Sequence, residues 1–93
     1  MEKSIYTREY AVFLEQLRNV RETKNLTQTE VAERLGQTQS FVSKVERGER
    51  RIDIVELRAF CSAMGVDFGQ FVARMEIAFE PEEINVIRKD QGS

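Results

Sequence analysis

Through the first 75 residues, apolar side chains recur at spacings of three and four, the period of a helix that buries one face. Tyr10, Phe13, Leu14, Leu17 and Val20 make one such stripe, Val31, Ala32 and Leu35 a second, and Val42 and Val45 a third. Leu57, Phe60, Cys61 and Met64 continue the pattern, and Phe68, Phe71, Val72 and Met75 close it. No run shows the sustained alternation of a half-buried strand. The segment ends are punctuated. Thr27 with Glu30 and Asp53 with Glu56 have capping-box spacing, Asp67 with Gln70 is a weaker version, and Thr7 and Thr38 can cap two more starts. Gly36, Gly48 and Gly65 follow apolar segments, where a left-handed residue ends a helix. The pattern predicts an all-α fold of five helices over about 8–24, 28–35, 39–47, 54–64 and 68–77.

Beyond Glu76 the character changes, and the chain divides into an arm at 1–7, a helical domain at 8–76 and an extension at 77–93. Ile77, Phe79, Ile84, Val86 and Ile87 add apolar surface that a five-helix core does not require. The expectation is a homodimer contact through Phe71, Val72, Met75, Ile77, Phe79, Ile84 and Ile87. The alternative is that 77–87 folds back on its own chain. Residues 88–93 are expected to fray.

Composition narrows the chemistry. With 93 residues and 41% hydrophobic content, the chain suits one small core. No stretch approaches the roughly 20 apolar residues of a membrane span, and Met1 to Tyr10 lacks the apolar run of a signal peptide, so a cytoplasmic protein without a membrane partner is expected. There is no histidine, which removes the commonest general base and metal ligand. Cys61, the single cysteine, can form neither an intrachain disulfide nor a thiolate cage and reads as a small core residue. Glu82 and Glu83 read as solvated surface, since nothing apolar nearby would raise a carboxyl pKa. No enzyme, cofactor or metal site is expected.

The densest information lies between Leu26 and Gly48. Two short helices meet there around Gly36, with Ala32 small enough for a steep crossing. Val31 and Leu35 face inward from the first, and Val42 and Val45 from the second. That is the physical content of a helix-turn-helix.

With Leu17-Arg-Asn-Val-Arg21, Leu-Thr-Gln28, Val-Ala-Glu-Arg-Leu-Gly36, Phe-Val-Ser-Lys-Val-Glu-Arg-Gly48 and Leu57 to Val66, the chain resembles the phage-repressor and Cro family, also called the xenobiotic-response-element type. The resemblance runs from about Phe13 to Phe71. It implies a compact repressor-like DNA-binding domain whose third helix lies in the major groove of an operator duplex. Gln39, Ser40, Ser43 and Lys44 would then face base edges, where Gln pairs with adenine and Lys with guanine. It further implies backbone contacts from Gln28, Thr38, Phe41, Arg47, Arg50 and Arg51, with Gln28 bracing Gln39. For Phe41, partial core burial is the competing expectation. Arg21 and Glu46 match a pair that joins the first helix to the end of the third. Many relatives carry a proline before the fourth helix; Glu49-Arg-Arg-Ile-Asp53 has none.

The implied function is a sequence-specific transcriptional regulator, a dimeric repressor acting by operator occupancy. An antitoxin or helical adapter with weak or no DNA binding is the alternative. The net charge of −2 argues against nonspecific coating of polyanions. Its distribution softens that objection: residues 38–51 carry four basic and two acidic side chains, and 76–93 carry five acidic and two basic. Glu49 sets an acid among the arginines and weakens the local basic field.

Overall fold

The computed structural model describes residues 7–79, in which five helices follow one another without a strand. They are α1 (Arg8–Thr23), α2 (Gln28–Leu35), α3 (Gln39–Glu46), α4 (Ile54–Met64) and α5 (Phe68–Phe79). The all-α expectation holds for these residues. Helices α1 and α3 end one residue earlier than expected, and α5 continues to Phe79. Residues 1–6 of the arm and 80–93 of the extension, with Ile84 and Ile87, lie outside the described residues.

The starts follow the side chains that satisfy them. Thr27 Oγ1 accepts from the Glu30 amide at 3.0 Å, and Glu30 Oε1 accepts from the Thr27 amide at 2.8 Å. Asp53 and Glu56 repeat the exchange at 2.8 and 2.9 Å, whereas Asp67 only accepts, from the Gln70 amide at 3.0 Å. Thr7 and Thr38 accept from the Tyr10 and Phe41 amides, each at 3.1 Å. Gly36, with φ 71°, ends α2 in the left-handed region and lets the Gln37 amide bond back to Ala32 O at 2.9 Å. Asn25 makes a similar turn after α1 with φ 59°, a position the glycine pattern does not mark.

The core joins all five helices. Leu17 and Val20 of α1 meet Val31 and Ala32 of α2, Val42 and Val45 of α3, Phe60, Cys61, Ala63 and Met64 of α4, and Phe71 and Met75 of α5. Phe13 sits edge-on to Phe71, with ring centroids 6.3 Å apart. This corrects part of the expected dimer surface, because Phe71 and Met75 are buried in their own chain. Helix α5 has one face on the core. The large apolar residues it exposes are Val72, 43% accessible, and Ile77, 74% accessible, while Phe79 is half-buried.

Cys61 is fully buried, and loss of solvent pushes its thiol up to about 11. A disulfide reagent at pH 8 should therefore leave the native thiol unmodified for as long as the domain stays folded, and titrate one thiol per chain in urea. Rapid labelling without denaturant would contradict this packing.

Candidate nucleic-acid interface

Besides its core residues Val42 and Val45, helix α3 is tied to its neighbours by a hydrogen-bonded chain that begins in the interior. Arg21 on α1 donates through Nε to Glu46 Oε2 at 2.6 Å and through Nη2 to Glu46 Oε1 at 3.0 Å. Its Nη1 donates to Leu26 O at 2.9 Å, tying the same guanidinium to the α1–α2 connection. Glu46, at the end of α3, is only 7% exposed and is the one buried charged residue among the described residues. The hydrogen bond to Glu46 is the main cause that raises the Arg21 pKa, opposed by burial, so the cation persists across any working pH.

From Glu46 the chain continues outward. Gln28, the first residue of α2, donates through Nε2 to Glu46 Oε1 at 2.9 Å, and its own Oε1 accepts from Gln39 Nε2 at 2.6 Å. An exposed side chain at the start of α3 is thereby oriented by a buried ion pair at the helix's far end. The resemblance implied both contacts, Arg21 to Glu46 and Gln28 to Gln39; their fusion into a single relay through Glu46 is visible only in the structure.

Gln39, Ser40 and Lys44 are exposed on one helix, as the inward direction of Val42 and Val45 requires. Ser43 is half-buried, and its Oγ accepts from Arg47 Nη1. Thr38 uses its hydroxyl as the α3 cap. Phe41 takes the partly buried position: its ring stacks near Phe60 with centroids 6.2 Å apart. The Arg50 guanidinium lies 5.0 Å from the Phe41 centroid.

The loop arginines are engaged within the chain. Arg47 pairs with Glu49 at 2.9 Å, Arg50 pairs with Glu56 at 2.9 Å, and the Arg51 guanidinium lies 4.3 Å over the Tyr10 ring. Hydrogen bonding to these arginines holds the Glu49 and Glu56 carboxyls below their ordinary range, with the Asp53 backbone adding to the effect at Glu56. Composition alone does not announce these pairings. The Arg47 contacts could have been read from spacing, since Ser43 lies four residues before it and Glu49 two after. In place of proline, the loop uses backbone closure: the Glu49 and Arg50 amides both reach Lys44 O, at 2.9 and 3.3 Å.

A family profile described as helix-turn-helix matches residues 17–71. An XRE-family like protein from Pseudomonas syringae pv. tomato is similar in structure, with TM-score 0.76 and 38% identity over 85% of this chain and 96% of that one. The restriction-modification controller protein C.AhdI from Aeromonas hydrophila is similar with TM-score 0.60 and 29% identity, over 70% of this chain and 99% of its own. The clp gene regulator ClgR from C. glutamicum shares the fold with TM-score 0.68 at 22% identity, over 80% of this chain and 96% of its own. No curated protein sequence matches. The match across α1 to α5, together with the α2–α3 geometry, shows that the chain belongs to the XRE-type helix-turn-helix family, a family of DNA-binding transcriptional regulators.

Proposed function

We propose that the chain is a sequence-specific repressor that binds an operator duplex as a homodimer and acts in the cytoplasm by occupying the site. The observation that carries this reading is the orientation of Gln39. Its amide nitrogen has two protons, and Gln28 takes one. The side chain is exposed, and among the described residues its second proton and Oε1 have no hydrogen-bond partner, which leaves one donor and one acceptor for a base edge. That pair complements N7 and the N6 amino group of adenine in the major groove. Lys44, five residues further along α3, suits guanine, and Ser40 and Ser43 can exchange hydrogen bonds with neighbouring edges. In this reading Gln28, Thr38, Phe41, Arg50 and Arg51 are assigned to sugar and phosphate, as is Arg47 once it is free of Glu49.

One recognition helix reads about half a turn of duplex, so a two-fold dimer on half-sites about 34–36 Å apart supplies the selectivity. Val72 and Ile77 on the outer side of α5 are the apolar residues offered for that contact.

Selection of bound duplexes from a random pool, followed by anisotropy titrations across salt, tests the reading. Gln39→Ala should lose about 1–3 kcal/mol of discrimination at one base pair while leaving the others intact. Arg51→Ala should weaken every duplex alike and flatten the dependence of log affinity on log salt by about 0.9. Equal losses on all sequences from both variants would overturn the assigned roles, and absence of binding at low salt would overturn DNA binding itself.

A further inference from the structure

Resting on the DNA-binding reading, we infer that Glu49 is an internal stand-in for phosphate: it keeps Arg47 folded along α3 and so removes one cation from backbone contact, lowering the affinity for any duplex. The geometry is that of bidentate carboxylate recognition, the arrangement a guanidinium also uses for a phosphate. Arg47 Nε donates to Glu49 Oε2 at 2.9 Å and Nη2 donates to Glu49 Oε1 at 3.1 Å, while Nη1 donates to Ser43 Oγ. All three guanidinium nitrogens are therefore engaged.

The local fold places the acid there. Gly48, with φ 79°, reverses the chain after α3, and the Glu49 amide bonds to Lys44 O at 2.9 Å. The carboxylate is thus held beside the guanidinium two residues earlier. Both side chains are solvated, 53% and 54% exposed, so the pairing serves no buried structure. Glu56 provides the contrast. It also binds an arginine, Arg50, but its Oε1 closes the capping box of α4 by accepting from the Asp53 amide. Among the described residues the Glu49 carboxylate has Arg47 as its hydrogen-bond partner and no cap to make. Its location immediately after the recognition helix means that whatever it withholds is withheld from the proposed DNA side.

The test measures binding of wild type, Glu49→Gln, Arg47→Ala and the double variant to a selected duplex and to a scrambled one across salt. One additional phosphate contact at a slope of about 0.9 predicts that Glu49→Gln binds both duplexes about eightfold more tightly at 0.1 M salt, with a slope steeper by about 0.9. In the Arg47→Ala background the same substitution should change affinity less than twofold. Unchanged affinity and slope in Glu49→Gln, beside a wild type that binds with steep salt dependence, would overturn the stand-in role and leave the DNA-binding reading in place. A full gain that persists without Arg47 would show simple removal of negative charge and would also overturn it. Failure of wild type to bind either duplex at low salt would instead remove the DNA-binding reading on which the inference rests.

Discussion

Arg21→Ala is expected to cost about 3–5 kcal/mol of folding free energy, the usual effect of removing one partner of a buried ion pair. The Arg21 and Glu46 side chains are only 12% and 5% exposed. Removing the guanidinium leaves the Glu46 carboxylate with Gln28 Nε2 as its remaining side-chain donor at 2.9 Å, and it frees Leu26 O. Most of the cost is therefore the stranded charge rather than the lost attraction. A small domain has roughly 5–15 kcal/mol in total, so the variant should sit near its unfolding threshold. With a urea slope of about 1–3 kcal/mol per molar, the midpoint should fall by more than about 1 M. Replacing both residues with methionine should recover much of the loss, since no charge is then stranded. That double variant separates stability from function: it should fold, yet with Gln28 released it should lose selectivity at the base pair assigned to Gln39. A single Arg21→Ala loss below about 1 kcal/mol would place the pair with ordinary surface salt bridges.

The same pair shows what could be read from sequence and what could not. The helices were legible because their signals are local: the apolar period, two capping boxes and Gly36 each act within a few residues. The turn at Asn25 was less so, since asparagine adopts the left-handed region in only some contexts. Site residues on one helix could be grouped by period alone, and Gln39, Ser40 and Lys44 do share an exposed stretch. Their supports could not. Glu46 is 25 residues from Arg21 and 18 from Gln28, and only packing decides that one carboxylate serves both. Amphipathic α5 poses the complementary difficulty: an apolar residue beyond the needs of a small core looks the same whether it faces its own chain, like Phe71 and Met75, or solvent, like Ile77.

Phe60→Ala should be of similar size, about 3–5 kcal/mol, by loss of buried apolar volume and incomplete collapse around it. Phe60 is 2% exposed and is the largest fully buried side chain among the described residues. Its position also links stability to the recognition helix, because its ring stacks near that of Phe41 on α3, 6.2 Å between centroids. A surface cleft lined by Leu35, Gln37, Phe41, Glu56, Ala59 and Phe60 adjoins it, so truncation opens the interior toward water at that point. Phe41, near whose ring the Arg50 guanidinium lies, then loses its inner partner. Phe60→Leu, which keeps most of the volume, should cost clearly less. Val55→Ala on the same helix, where the side chain is 73% exposed, should stay within about 0.5 kcal/mol. Chemical denaturation of the three variants checks the order. If Phe60→Ala and Val55→Ala were equally mild, the Phe41–Phe60 contact would add nothing to the hold on α3, which would then rest on its packing against α2 and α1 and on the Arg21–Glu46 pair.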